Sequence, residues 1–435
     1  MALLTRHVLL SLFIGIVSAQ FIIADFSIVD TLNLIYELFI TLLTKAWILK
    51  TLIFALLVGS VMSLLKASGG IEGFINMLTH RYALVKSKRS ALILTYIVGV
   101  VIFIESSITA LIAGTLGRPL SDKYGVSRAK LAYVCDSTSA PVCSLIMING
   151  WGALVLGLIA TQISSEVIAG DSVSWLIDSL LYNFYAMSAL VVTFVVIWFD
   201  FKVGKNSVPI TNQSTDDIIH KDASLMLLPI IVMIATVFVS LYMTGDGNML
   251  KGSGSTAIFY SQIVTLIFMF VMYLGKKVMS VKVWVKEAYV GLKSMREIVM
   301  ILLFAFAIGA STQQLHTGTF LAEFTQDILS PTYLAAVIFL LSGIMAFATG
   351  TSWGTFSIMI PIAVPMAVGM DANVALCIGA AISGGVFGDH CSPISDTTII
   401  SSLAAECNHI EHVKTQLPYA LFSGTVALLL FIAFS

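Results

Sequence analysis

Long apolar stretches, each punctuated by a few polar residues, recur along the chain from Val8 to Phe434. A helix that crosses a bilayer needs about 20 mostly apolar residues, because inside the hydrocarbon layer each backbone polar group must be satisfied within the segment. Measured that way, the pattern predicts an all-α polytopic protein with roughly ten to twelve membrane segments. Residues 8–23 have the apolar core of a signal peptide, but no polar mature domain follows, so they read as a transmembrane helix.

Lysine and arginine concentrate in 66–89, 118–130, 202–221 and 276–296, whereas 164–174, 244–254 and 316–330 together hold one lysine among several acids. The positive-inside rule places the first set in the cytoplasm and the second outside. Inversion of the two halves puts the N-terminus outside, although Arg6, Lys45 and Lys50 then fall on the less usual side. The apolar region 91–116 would start and end in the cytoplasm while being about one span long. A re-entrant hairpin resolves this, with two half-length helices flanking a tip at Glu105-Ser106-Ser107. A matching hairpin, opening outward, is expected with its tip at Thr349-Gly350-Thr351-Ser352-Trp353.

These hairpins belong to a repeat. Phe54-Ala-Leu-Leu-Val-Gly59 is echoed by Phe304-Ala-Phe-Ala-Ile-Gly309, and Gly99, Phe103 and Pro119 by Gly343, Phe347 and Pro361. Each hairpin precedes a helix with a polar, proline-containing interruption, Asp136 to Pro141 in one half and Asp389 to Thr398 in the other. The layout is a first repeat over 1–199 (hairpin 91–118, broken helix 131–163), a linker over 200–222, and a second repeat over 223–435 (hairpin 331–368, broken helix 372–403). With about five spans and one hairpin per half, the second copy is inverted, the plan of secondary transporters.

Composition agrees with a lipid solvent: 58% of residues are hydrophobic and 11% charged, and mean hydropathy is +0.97. The net charge of −1 signals neither nucleic acid nor an acidic substrate. Cys135, Cys143, Cys377, Cys391 and Cys407 show no CxxC spacing, so neither disulfides nor a structural zinc is expected, and no cofactor is implied.

An ionisable side chain in a span costs about 2.5–3.5 kcal/mol on insertion scales, which makes each one a functional candidate. Asp136 is followed by Ser137, Thr138, Ser139 and Pro141; the proline removes a donor and opens the helix, freeing carbonyls beside the carboxylate and hydroxyls. The second half supplies Asp389, Ser392, Ser395, Asp396, Thr397 and Thr398 around Pro393. Hard oxygen ligands of this kind suit a small alkali cation, and Asp136, Asp389 and Asp396 are its expected contacts. The hydroxyls serve equally well as interhelical hydrogen bonds or caps. Ser106, Ser107, Thr351 and Ser352 sit at hairpin tips, where exposed N–H groups can also steady an anion. Glu105 is either a proton carrier or the cap of its hairpin's second arm, and His390 either a pH-responsive group or a satisfied structural histidine. Trp353 reads as packing and Arg118 as an interfacial anchor. An intramembrane aspartyl protease using Asp136 and Asp389 would need Tyr-Asp and Gly-x-Gly-Asp, but the chain has Cys135-Asp136 and Phe387-Gly388-Asp389.

Gly388-Asp-His-Cys-Ser-Pro-Ile-Ser-Asp-Thr-Thr-Ile-Ile-Ser-Ser402, with Cys135-Asp-Ser-Thr-Ser-Ala-Pro141 and Thr349-Gly-Thr-Ser-Trp-Gly354, resembles the NhaC-type Na+/H+ antiporters of bacteria, over nearly the whole chain. The resemblance implies membership of the ion-transporter superfamily, whose divalent-anion members have two inverted repeats, two opposed hairpins and an elevator motion. It implies a multi-pass protein of the bacterial inner membrane that exchanges cytoplasmic Na+ (or Li+) for external H+ by competition at buried carboxylates, with proton coupling at Asp136, Asp389, Glu105 and His390. Relatives that exchange malate and lactate or carry amino acids keep open a Na+- or H+-coupled carrier of a small organic acid or amino acid. By analogy with elevator carriers, 8–65 and 225–273 would form a static scaffold that dimerises. The longer polar interruption tilts the primary cation site toward the second half.

Overall fold

The computed structural model describes residues 8–77, 85–103, 105–146, 148–201, 222–249, 252–315, 320, 323 and 329–435. The expected linker falls almost wholly outside these residues, as do most of the expected outer loop 316–330 and part of the basic loop 66–89. The described residues are helical, with no strand among them.

In the first half, α1 (Val8–Ile23) and α2 (Ile28–Thr44) meet at a sharp bend of 119°. They are followed by α3 (Ala46–Ser68), the short α4 (Gly70–Asn76), the pair α5 (Lys88–Val101) and α6 (Ser106–Tyr124), and a run in three pieces: α7 (Arg128–Ser137), α8 (Ala140–Leu145) and α9 (Gly150–Ser164). The half closes with α10 (Ser172–Leu180) and α11 (Phe184–Trp198). The second half runs through α12 (Ser224–Thr244), α13 (Gly254–Gly275), α14 (Val281–Ser294), α15 (Arg296–Gln314), the pair α16 (Pro331–Thr349) and α17 (Ser352–Gly369), then α18 (Val374–Cys391), α19 (Asp396–Ala404) and α20 (His409–Ala433).

Nine helical runs among the described residues are long and apolar enough to cross a membrane, or eleven if each of two bent pairs is one span. That overlaps the expected range. Side chains such as Leu32, Tyr36, Val191, Ile231 and Val271 are exposed on the perimeter, where only lipid makes them favourable.

The breaks fall where the sequence carries stop and start chemistry. Pro141 lies in the first turn of α8, where its missing N–H is no loss. Asn149 caps α9 by accepting from the amides of Trp151 and Gly152, and Ser395 caps α19 by accepting from Thr398 N. Between α16 and α17 the chain turns at Gly350, whose φ of +68° suits a residue without Cβ.

Both hairpin turns lie at the expected tips, but the arms are longer than half-length. α16 and α17 have 19 and 18 residues, each enough for a span, and α5 and α6 have 14 and 19. The helices run through Pro119 in α6 and through Pro361 and Pro365 in α17, and the arms are separated only by the left-handed Gly350 or the Glu105 turn. The hairpins pack closely on the broken helices. A Cβ on Gly99 of α5 would lie 2.0 Å from Thr138 Oγ1, and one on Gly388 of α18 would lie 2.0 Å from the Gly343 carbonyl of α16. The core is aromatic, centred on Trp151, Phe306, Phe339, Phe356 and Phe431.

Candidate functional site

Asp136 occupies the last turn of α7 and Asp389 the last turn of α18; both are buried, at 0% and 1% exposure. A helix C-terminus carries the negative end of the macrodipole, so a carboxylate there is unfavourable unless donors, a proton or a cation offset it. Asp136 Oδ2 accepts from Gln416 Nε2 at 2.6 Å and Thr398 Oγ1 at 2.9 Å. Asp389 Oδ2 accepts a long bond from Thr397 Oγ1, 3.4 Å, and the Ser395 and Ser352 hydroxyls also act on this carboxyl. Each acid keeps one buried oxygen, Oδ1, with no hydrogen-bond partner among the described residues.

The first turn of α19 joins the two acids, since adjacent threonines on it serve one carboxylate each. Ser395 Oγ lies 3.0 Å from Thr397 Oγ1 and caps the same turn. Asp396 is the most accessible of the three aspartates. It opens α19 with its carboxylate accepting from Thr397 N at 2.8 Å, where the positive helix end favours it. It remains within electrostatic reach of Asp136 and Glu105, and Asp389 in turn feels Asp396 and Asp136. No three His, Cys, Asp or Glu side chains among the described residues gather as a metal cage. A hard cation here must therefore take an open carboxylate oxygen together with hydroxyl, carbonyl or water oxygens.

The other predicted hydroxyls shape the breaks. Ser139 Oγ donates to the Asp136 carbonyl at 2.8 Å, and Thr138 Oγ1 to Val134 O, also 2.8 Å. Ser137 is buried in the same turn. Ser392 Oγ donates to Phe347 O across to α16 (2.7 Å), and Ser352 Oγ to Gly385 O on α18 (3.1 Å). Thr351, half-buried, begins α17 beside it. At the first tip Glu105 accepts from Ser107 N at 2.9 Å and Ser106 Oγ at 3.4 Å, which is the capping geometry. His390 is engaged at both nitrogens: Nε2 faces the Asp136 carbonyl at 3.1 Å and so carries hydrogen, leaving Nδ1 to accept from Tyr185 Oη at 3.0 Å. Both ring nitrogens thus have partners. Trp353 packs edge-on against Trp151, and Arg118 pairs with Glu406.

Sequence reasoning that looked only for charge missed the amides. Gln416 holds Asp136, and the two hydrogens of Asn149 Nδ2 are shared among Phe103 O (2.8 Å), Cys143 O (2.9 Å) and Ile146 O (2.8 Å), tying the first hairpin to the first break. Both are fully buried amides within or next to apolar runs, and that was the available signal. A cavity of about 440 Å³ between α1, α2, α3, α9 and α15 is lined by Gln20, Glu37, Lys45 and Glu166, among others, and by none of the predicted site residues.

This arrangement can be set beside known proteins. A relative in Haemophilus influenzae, itself uncharacterised, is 33% identical over 98% of this chain and 86% of its own. Over 24% of this chain and 22% of its own, the malate-2H+/Na+-lactate antiporter of Bacillus subtilis is 30% identical. In three dimensions the Alcanivorax borkumensis YdaH transporter superposes with a TM-score of 0.66 at 13% identity, over 93% of this chain and 89% of its own, a likeness of fold. The Na+/H+ antiporter family matches residues 142–435. A match over that much of the chain, on a multi-pass helical fold shared with a transporter, settles the class: this is a membrane transporter rather than an enzyme, and it belongs to the Na+/H+ antiporter family.

Proposed function

We propose that the chain exchanges cytoplasmic Na+ for external protons across the bacterial inner membrane. The observation that carries this reading is the pair of buried carboxylates, each with one oxygen held by donors and one without a partner. A bare buried anion is costly. A proton on the open oxygen removes the charge, and a Na+ beside it offsets the charge. The two occupants exclude each other, so alternating exposure of the site couples their movements. Asp396 adds an exposed carboxylate at the mouth of the site, and Glu105 brings a fourth within its electrostatic reach. Each net charge moved couples to the membrane potential at about 2.3 kcal/mol per 100 mV.

The moving parts in this reading are the two hairpins with their broken helices, the two copies of an inverted repeat working as an elevator. The ties from Asn149 to Phe103 O and from Ser392 to Phe347 O support it, because each hairpin is bonded to the break that follows it. The homodimer remains an inference from analogy with elevator carriers.

Proteoliposomes with imposed Na+ and pH gradients test the proposal. Wild type is expected to show Na+-driven proton flux, lost in Asp136→Asn and Asp389→Asn; intact flux in both variants would sink it. The second reading is a Na+- or H+-coupled exchanger of a small organic acid or amino acid, favoured by the malate/lactate antiporter among the relatives. Thermal stabilisation by malate, lactate or an amino acid, rather than by Na+ or Li+, would select it.

A further inference from the structure

Three side chains meet on the far side of Gln416 from Asp136. Ser402 Oγ on α19 lies 2.7 Å from the Thr398 carbonyl, 2.8 Å from His412 Nδ1 and 3.0 Å from His409 Nδ1. Ser402 and His412 are buried, at 2% and 0% exposure, and His409 is half-buried at the edge of the protein.

Counting hydrogens exposes a conflict. Gln416 Nε2 points at two acceptors, Asp136 Oδ2 at 2.6 Å and the His390 carbonyl at 2.8 Å, which fixes its amide orientation. Its Oε1 therefore faces His412 Nε2, 3.0 Å away, and that nitrogen must carry hydrogen. His409 Nε2 faces the Pro393 carbonyl at 2.6 Å and must carry one too. If both rings are neutral, both Nδ1 atoms are acceptors, and with the Thr398 carbonyl they compete for the single hydroxyl hydrogen of Ser402. One added proton resolves the contest between the rings. The protonated ring donates Nδ1–H to Ser402 Oγ, and Ser402 turns its own hydrogen to the other ring. Moving the hydroxyl hydrogen and the added proton together interchanges the two rings' roles without breaking the chain. A second proton would set two cations against one hydroxyl.

We propose that Ser402, His409 and His412 form a proton-holding site that takes one shared proton from the aqueous phase and sets the pH range over which Asp136 exchanges its own. The inference rests on the antiport reading for its consequence. The cluster's charge reaches Asp136 through the Gln416 amide, oxygen toward His412 and nitrogen toward the carboxylate, so a loaded cluster favours the anion. The other charged or titratable groups on the elements around the pair include Arg128, Lys130, Tyr133 and Cys135 on α7, Asp389, His390 and Cys391 on α18, Asp396 on α19, Glu406 and Cys407 in the turn before α20, Glu411, Lys414 and Tyr419 on α20, and Arg118, Asp122, Lys123 and Tyr124 on α6, which packs on α19. The remaining helices packed on α20, α11 and α16, contain no Asp, Glu, Lys, Arg or His.

Purified protein with 15N-labelled histidine, titrated by NMR between about pH 5 and 8, reads the cluster without reference to transport. His409 and His412 should change together as one proton is taken up, with any second uptake at least about one pH unit lower. In Ser402→Ala each ring should titrate by itself. Independent titration of the two rings in wild type overturns the shared site. In proteoliposomes Ser402→Ala should move the pH of half-maximal Na+-driven proton flux by about one unit while keeping the rate at the optimum within about threefold. An unmoved profile overturns the link to Asp136. A wild type without Na+-driven flux defeats the antiport reading and the link with it, whereas the histidine titration still decides the shared site.

Discussion

Asp136 and Asp389 stand at matching places, each in the last turn of a helix that stops within three residues, each buried and each with one oxygen unpartnered. Their other oxygens live differently. Asp136 is gripped by two close donors, both from the opposite half of the chain, while Asp389 is met by hydroxyls of its own half, with Thr397 Oγ1 at a long 3.4 Å and Ser395 and Ser352 nearby. Two similar breaks thus have unequal donors. The gripped acid is a fixed point around which α7, α19 and α20 assemble. On the proposed antiport reading, the loosely held acid is the one whose oxygens a cation would claim with least rearrangement.

The sharpest way to break this comparison is to crowd each hairpin against its helix. Gly388→Ala drives a Cβ onto a backbone carbonyl that cannot move aside, whereas Gly99→Ala meets the hydroxyl of Thr138. Overpacking should cost about 3 kcal/mol in the first case and about 1 kcal/mol in the second, read as thermal midpoints in detergent. Equal losses would mean that the two packings are equally stiff. Removing the ties comes next. Asn149→Ala gives up contacts to three carbonyls and a helix cap, so it should destabilise by about 2 kcal/mol, against about 1 kcal/mol for Ser392→Ala, which loses the bond to Phe347 O and a longer one from Ile394 N.

The carboxylate donors should separate the acids in transport. Gln416→Leu removes the 2.6 Å bond to Asp136 and should lower Na+-driven proton flux about tenfold, equivalent to about 1.4 kcal/mol. Thr397→Val, which removes the 3.4 Å contact to Asp389 together with the 3.0 Å contact to Ser395 Oγ, should change it less than about threefold. Similar effects would erase the distinction between gripped and loose.

The smallest effect lies far from both breaks and serves as a baseline. Lys276, helped by Ser224, holds the Asp222 carboxyl down to about 2, below its usual value. A depressed carboxylate stabilises the fold above its unfolded value near pH 4 and loses that contribution as pH falls toward 2. Because the pair is exposed, Lys276→Gln should alter stability at neutral pH by less than about 1 kcal/mol.

The breaks were legible because punctuation is local: Pro141, Pro393 and Gly350 act on their own neighbours. The buried acids were legible because charge is rare in apolar runs. Their donors were not, since Gln416 lies 280 residues from Asp136 and nothing near either position encodes the meeting. Nor was the exposure of Asp396, for a related reason. It stands seven positions after Asp389, which on an unbroken helix would put both on one face, but the chain changes course at Ser392–Ser395 and turns Asp396 outward. Hairpin arm length was misjudged because loop charge alone set the expected depth.

The bonds from Asn149 to Phe103 O and from Ser392 to Phe347 O also bear on how this gene can be recombined. A donor side chain and the carbonyl it serves are inherited well when they travel together, and here each pair spans a hairpin and the break after it. A chimera with a relative should therefore exchange residues 88–149 or 331–398 whole. A crossover placed inside either block would graft a hairpin onto a helix that no longer offers it the matching hand.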